Sequence, residues 1–403
     1  MDAPGQHPNT AAPAAPTLAG QGKPPAILQV LPALHAGGVE RGTVDMARAI
    51  VAAGWRAVVA SSGGYMTREI ERAGATHITL PLASKNPVRM WRNVAALERV
   101  IDEHGIDIVH ARSRAPAWSA RAAAQRSGVH FMTTFHGLYG AGSGLKRFYN
   151  SVMAKGELVI AISQFVAEHL QTVYGVPPER IRVIHRGVDL SQFDADRVSE
   201  PRLVQLAQKW RLPDDRSIIL LPGRLSRWKG QDLAIEALAL LRRNDVLCVM
   251  VGAALGSPRW RREVESLVHR LGVEGVVMMV DECRDMPSAY RLADIVVVPS
   301  RKPEAFGRTV TEAQAMGRIV VAADHGGARE TVSDGHTGWL FRPNDAGALA
   351  EAMARALALD APTRLAIGAN AVEAVRARFS NAVMCERTLG VYRELLATAR
   401  ATV

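Results

Sequence analysis

The sequence predicts an α/β protein made of two doubly wound Rossmann-like domains that face each other across an interdomain cleft. Three observations carry this expectation. Short apolar runs alternate with amphipathic helical stretches along most of the chain, which implies parallel sheets with helices on both faces. The alternation breaks once, near residue 190, and then resumes. At 403 residues the chain is too long for one comfortable core.

Residues 1–25 hold six prolines, many alanines and almost no large apolar side chain. They lack the apolar core of a signal peptide, so a disordered tail and a cytoplasmic protein are expected. The first domain is placed at 26–187. Its strand candidates are Ile27–Leu31, Ala57–Ala60, His77–Leu80, Ile106–His110, His130–Thr134, Leu158–Ile162 and Ile181–His185, mostly bounded by Gly, Pro or Asp. Val39–Ala53 reads as a helix closed by Gly54. Residues 188–216, rich in Asp, Arg and Pro with no clear strand, read as the interdomain connection. The second domain is placed at 217–380, on the runs Ile218–Leu221, Leu247–Val251, Val276–Val280, Ile295–Val298 and Ile319–Ala322. A helical stretch around Val383–Ala397 follows after that domain is complete, so 381–403 is expected to return to the first domain.

Composition is that of a globular protein, 48% hydrophobic and 22% charged. No stretch of eighteen uncharged apolar residues exists, so no transmembrane helix is expected. Cys248, Cys283 and Cys385 are widely spaced, without CxxC or a Cys/His cluster, which argues against a disulfide framework or a structural metal. The net charge of +10 is uneven, with 19 Lys/Arg against 12 Asp/Glu in residues 1–185. Such a surplus suits nucleic acid, an anionic membrane face or phosphate-bearing ligands. Nucleic acid is disfavoured, because there is no binding motif and no basic run, and aromatics are only 5%.

The strongest chemical signal is Glu304-Ala305-Phe306-Gly307-Arg308-Thr309-Val310-Thr311-Glu312, which follows the strand Ile295–Val298 and a Pro299-Ser300 turn. It reads as a strand-end loop running into a helix, with Glu304 on the loop and Glu312 two turns into the helix. A helix start offers free N–H groups and a positive dipole end, suited to a diphosphate. Glu304 could then bind a sugar hydroxyl and Glu312 a ribose. Taken alone, Glu304 also fits a helix cap and Glu312 a solvated surface position.

The segment resembles the E-x7-E motif of family 4 retaining glycosyltransferases, with Phe306-Gly307 and Glu312-Ala313 in the motif's places. The resemblance runs from about residue 26 onward and implies a GT-B fold. It implies that Glu304 contacts the transferred sugar and Glu312 the nucleotide ribose, and Phe306, Gly307, Arg308 and Thr309 between them are expected to line the donor site. Four further segments are similar to the family. Gly223-Arg224-Leu225 and Lys229-Gly230 resemble its pair of cations on the donor diphosphate, where two cations offset the leaving group's charge when no metal is present. Gly37-Gly38-Val39-Glu40 resembles its glycine loop; it lacks the third glycine of a dinucleotide fingerprint. Thr134-Phe135-His136-Gly137 resembles the strand end whose histidine touches the transferred sugar. Ile184-His185-Arg186-Gly187-Val188-Asp189 resembles an interdomain "N-G-V-D", with Arg186 in place of the usual asparagine. Val280–Pro287 lies where the family holds the nucleobase, and Gly326-Gly327 with Glu330 near its donor site.

The resemblance implies a hexosyl transfer from a UDP- or GDP-sugar to a glycan or glycolipid acceptor, such as a lipopolysaccharide core, with retention by same-face attack. No cofactor is expected, and no metal, since no Asp-x-Asp stands in a suitable loop. Gly140–Lys155 combines a glycine loop with a basic, aromatic, amphipathic stretch, which fits a mobile acceptor loop, a peripheral contact with the anionic inner-membrane face, or an ordinary packed helix. Two other classes compete. A sugar-nucleotide epimerase would carry several acid/base groups around the donor, and a basic nucleic-acid-binding protein would need a motif that is missing.

Overall fold

A computed structural model of the protein describes residues 23–35, 37–140, 142–252 and 257–398. Most of the tail expected to be disordered, residues 1–22, lies outside the described residues.

The first sheet has seven strands: β1 (Ala26–Val30), β2 (Arg56–Ser61), β3 (Thr76–Thr79), β4 (Ile108–Ala111), β5 (His130–Phe135), β6 (Val159–Ala161) and β7 (Ile181–Val183). All pair in parallel, in the order β3-β2-β1-β4-β5-β6-β7. Helices α1 (Gly38–Ala52), α2 (Thr67–Arg72), α3 (Pro87–His104), α4 (Arg114–Arg126), α5 (Gly144–Ser151) and α6 (Gln164–Tyr174) cross over between them. Strands covered on both faces need no alternation of polarity, and β1 is buried throughout. The strand order reverses between β1 and β4, which opens a crevice at their carboxyl ends.

Residues 188–216 contain no strand of either sheet, and they do contain a helix, α7 (Glu200–Trp210), which packs Leu206 and Trp210 inward. The second sheet is also all parallel, in the order β10-β9-β8-β11-β12-β13. Its strands are β8 (Ser217–Pro222), β9 (Val246–Val251), β10 (Val277–Val280), β11 (Ile295–Val298), β12 (Ile319–Ala323) and β13 (Trp339–Phe341). Its helices are α8 (Gln231–Leu241), α9 (Pro258–Leu271), α10 (Met286–Leu292), α11 (Arg308–Ala315), α12 (Ala328–Thr331), α13 (Ala346–Leu357) and α14 (Ala361–Arg378). The reversal here falls between β8 and β11. The two-domain Rossmann-like architecture is the one the sequence predicts; β13 and α14 are additions to it. Three residues of strand give no readable period, and α14 carries almost no segregated apolar face.

The last helix, α15 (Asn381–Ala397), lies on the first domain, where Leu389, Tyr392 and Leu395 join the core around β1. Its Tyr392 hydroxyl meets Nδ1 of His110 at 2.7 Å, and His110 Nε2 meets Thr134 Oγ1 at 2.7 Å. Burial holds this histidine well below its ordinary pKa, so it is neutral. The two passages of chain between the domains run side by side. The Val188 N–H donates to Phe379 O at 2.8 Å, and the Asn381 N–H to Val188 O at 2.9 Å. Such closeness demands Gly187, since a side chain there would lie 2.5 Å from the Asn381 Cα.

Candidate active site

Each wall of the cleft presents a helix start opened by glycine and capped by no side chain. On the first domain this is α1, entered through Gly37 and Gly38 after β1. On the second it is α11, whose cap Gly307 sits at φ 88°, a left-handed conformation that glycine adopts without strain. The two starts meet: a methyl group at Gly38 would lie 2.8 Å from Nη1 of both Arg186 and Arg308. Free N–H groups, two positive dipole ends and two guanidiniums thus converge on one point. Thr309 stands beside Arg308 in the first turn of α11.

The Glu304 loop is held from below by interlocked backbone. The Gly327 N–H donates to Glu304 O at 2.8 Å, and a side chain on Gly326 or Gly327 would collide with the Glu304–Phe306 backbone. Here the Gly-Gly pair serves the loop, where Cβ atoms are excluded. Phe306 itself faces inward. It is 2% exposed and its ring packs on His185 and Phe379. This corrects its placement as a binding side chain, since only its backbone borders the cleft-side loop.

Lys229 reaches the same loop. Its short 3-10 turn is tied to the strand end after β11 by the bond from Arg301 N–H to Trp228 O, 2.8 Å. Its Nζ donates to Glu304 Oε1 at 2.7 Å, and Ser300 Oγ donates to the same oxygen at 2.5 Å. Both charged side chains are mostly buried. Arg224 does not join this group. It is exposed and lines an open groove of about 560 Å³ with Arg227, Arg259, Trp260 and Glu263.

Glu312 stands at the second turn of α11, which begins only at Arg308. Its oxygens accept from Arg308 Nη2 at 2.9 Å and the Tyr290 hydroxyl at 3.2 Å. Burial raises its pKa against the pull of Arg308 and Tyr290. The neighbouring stretch Glu282–Asp285 lines a pocket of about 290 Å³ with Arg202, Leu206 and Trp210 of α7.

His136 follows β5 directly. Its Nδ1 accepts from Arg186 Nη2 at 2.9 Å, while its buried Nε2 has no partner among the described residues. Burial, with Arg186 and Arg112 beside it, holds the ring well below its ordinary pKa. A guanidinium only donates, so the neutral ring carries its proton on Nε2, aimed into a cavity of about 30 Å³ with room for about one water. A buried donor left unpaired costs about 1–3 kcal/mol, which a hydroxyl of a ligand would recover. Arg112 and Arg186 line the same cavity, and among the described residues no carboxylate does. Burial and the guanidiniums of Arg308 and Arg112 push Arg186 down to about 9, which leaves it charged at neutral pH.

The sequence reading missed three groups: Ser300 and Tyr290, which hold the two glutamates, and Arg112, which follows β4. Arg186 carried a signal, its departure from asparagine. Glu330 belongs elsewhere than the donor site. Its carboxylate accepts from the Gln164 and Phe165 N–H groups at 2.8 and 2.9 Å and from His185 Nε2 at 2.8 Å, so it caps α6 of the opposite domain. Burial would raise its pKa, but those bonds outweigh it and hold the carboxylate below its ordinary range.

Two Rossmann-like sheets whose carboxyl ends share one cleft, with a glycine-opened helix start on each wall, define the GT-B architecture of nucleotide-sugar enzymes. The comparisons with known proteins agree. Residues 36–192 match the profile of Glycosyltransferase Family 4 and residues 205–374 that of Glycosyl transferases group 1. The D-inositol 3-phosphate glycosyltransferase of Acidothermus cellulolyticus is 32% identical over 345 residues, covering 78% of this chain and 73% of that protein. The one from Xylanimonas cellulosilytica is 38% identical over 55% of this chain, and the match spans about half, 53%, of that protein. Among solved structures, a glycosyltransferase from Rickettsia africae superposes with TM-score 0.86 at 36% identity, over 93% of this chain and 100% of that one. Anabaena HepE, in complex with UDP-glucose, superposes with TM-score 0.78 at 25% identity, over 92% and 99%. The chain belongs to glycosyltransferase family 4.

Proposed function

We propose that the protein transfers a hexosyl unit, with retention, from a nucleoside-diphosphate sugar to a hydroxyl of a phosphate-bearing acceptor. The convergence of α1 and α11 on Arg186 and Arg308 is the observation that carries this reading. The donor diphosphate would lie between the two helix starts, with Lys229 beside it as one cation and exposed Arg224 turning in from its groove as the second. Lys229 is already paired with Glu304, so donor binding would redistribute that pair: ammonium to phosphate, carboxylate to a sugar hydroxyl. Glu312 would take the ribose, and the Nε2–H of His136 a hydroxyl of the transferred sugar.

In the reaction the bond from the anomeric carbon to the phosphate oxygen breaks, and the acceptor oxygen bonds to that carbon on the same face. The acceptor proton passes to the departing phosphate. Growing charge on the leaving group is met by the helix-start N–H groups and by Arg186 and Arg308, already in place, which is where preorganised electrostatics contributes most. The likeness to HepE with UDP-glucose supports a UDP-sugar as donor. The names of the curated relatives support a phosphorylated polyol as acceptor, and the basic first domain suits either that or a phosphorylated lipopolysaccharide core.

Thermal stabilisation by UDP, GDP and ADP tests the donor. Ligand at ~100 Kd stabilises the folded state by about 2.7 kcal/mol. If none of the three raises the melting temperature, the donor assignment fails. Transfer assays with inositol 3-phosphate beside a phosphorylated lipopolysaccharide core identify the acceptor, and NMR of the product's anomeric proton reads the stereochemistry.

A further inference from the structure

We propose that the first domain docks on an anionic lipid bilayer through the face made by α3, α4 and α5. This goes beyond sugar transfer and stands independently of it. Large apolar side chains gather there in the open. Trp91 and Val88 on α3 are 69% and 59% exposed, and Leu145 and Phe148 on α5 are 80% and 61% exposed. Each pair is spaced i, i+3, so it occupies one side of its helix.

Helix α4 brings the pairs together. Its Trp118 Nε1 donates to Tyr149 O at 3.1 Å, and its Ser119 Oγ donates to Met90 O at 2.7 Å. The start of α3 and the end of α5 therefore meet α4 at two adjacent residues, Ser119 and Trp118. The Phe148 ring lies 5.2 Å from that of Trp118, and Lys155 Nζ sits over both rings.

The charge is of one sign. Lys85, Arg89, Arg92, Lys146, Arg147 and Lys155 are all exposed, and residues 81–97, 112–129 and 135–156 contain no Asp or Glu. Cations interleaved with exposed Trp, Phe and Leu, without acids, complement a negatively charged headgroup layer over hydrocarbon. A protein partner or nucleic acid would be met by charge or by apolar contact at fixed points. Long flexible cations around protruding rings suit a fluid surface. The loop that leaves His136 runs straight into α5, and the Asn150 side chain ties the two by donating to Gly140 O at 3.1 Å. Docking would thus hold the acceptor side of the cleft next to the bilayer.

The full chain is sedimented with phosphatidylcholine vesicles with and without phosphatidylglycerol, at low and high salt. At least ~tenfold stronger partitioning onto the anionic vesicles is expected, reduced by salt. Leu145→Ser/Phe148→Ser should weaken it by about tenfold with an unchanged melting temperature, because both side chains are exposed. Leu240→Ser and Leu365→Ser, exposed on the second domain, should bind as wild type. Brominated lipid should quench tryptophan fluorescence in wild type and less in Trp91→Phe. No binding to anionic vesicles overturns the proposal. So does binding that survives Leu145→Ser/Phe148→Ser, which would show only the attraction of a basic protein for an anionic surface.

Discussion

The Arg186 guanidinium donates to Nδ1 of His136 across 2.9 Å, linking the segment after β7 to the end of β5. The bond fixes which ring nitrogen carries the proton, and it puts a positive charge beside a buried histidine. Burial first, and Arg186 next, depress the histidine's pKa. Replacing Arg186 with Asn, the residue usual at this place in the family, removes the second cause. The His136 pKa should rise, and the acid limb of the kcat profile should move to higher pH. At neutral pH kcat should fall about tenfold, equivalent to ~1.4 kcal/mol, as both tautomers become populated. Ring ¹⁵N shifts of His136 read the tautomer directly. An unchanged acid limb and unchanged shifts would show a merely structural bond.

Lys229 and Arg224 should both prove necessary for turnover, for different structural reasons. Either change to Ala is expected to lower kcat by roughly 10²–10³-fold, the scale for one preorganised charge-stabilising group. Lys229→Ala also strips the ion pair from Glu304, although Ser300 still donates to that oxygen. Its melting temperature should drop slightly, whereas exposed Arg224→Ala should leave it unchanged. Wild-type turnover in either variant would sink the diphosphate assignment.

Glu304 and Glu312 should fail in different ways. Glu304→Gln changes the group proposed to hold the reacting sugar and should chiefly lower kcat. Glu312→Gln should raise the donor KM, since a lost hydrogen bond to a charged group costs ~1.5–3 kcal/mol, roughly ten- to a hundredfold. Because burial raises the Glu312 pKa, the neutral amide should also leave the free enzyme no less stable. Nucleotide titration calorimetry beside steady-state kinetics separates the two, and tight binding by Glu312→Gln would remove its ribose role.

Chelation should leave activity intact. The proposed leaving-group stabilisation uses N–H groups and side-chain cations, so dialysis against EDTA is expected to cost little. Activity lost to EDTA and restored by Mg²⁺ or Mn²⁺ would overturn that mechanism.

Asp45 on α1 supplies a stability test. Burial raises its pKa from 3.8 to about 6 while Asn381 Nδ2 donates to it at 3.0 Å. Between those values the folded state binds more protons than the unfolded one, so stability falls as pH rises from about 4 to 6 and then levels off. Asp45→Asn should therefore melt higher than wild type at pH 8, by about 2 kcal/mol after allowance for partial burial, and no higher below pH ~4. Equal melting temperatures across that range would show the carboxylate to be fully compensated.

Strand-forming runs were legible because parallel strands are apolar on both faces, as in β1 and β11. The segment from Glu304 to Glu312 was legible because its spacing fits a strand-end loop entering a helix. What could not be read was direction. Phe306 looked like a cleft residue, yet only tertiary packing decides that its ring turns towards Phe379. Glu330 looked like a donor contact, while its actual partners, Gln164 and Phe165, lie some 165 residues away in sequence on another domain. Arg186 was visible as a departure, but nothing local could name His136 as its partner.

The paired passages at Val188 and Ser380 have a mechanical meaning. Two connections bonded edge to edge share one axis, so they act as the pin of a door: twist and sliding would break both hydrogen bonds at once, and swing must release the bonds from α6 to Glu330. Registration at the far edge of the cleft is accordingly set at the pin, by the one residue type that lets the two passages touch, and a side chain at Gly187 would misalign a site it never contacts.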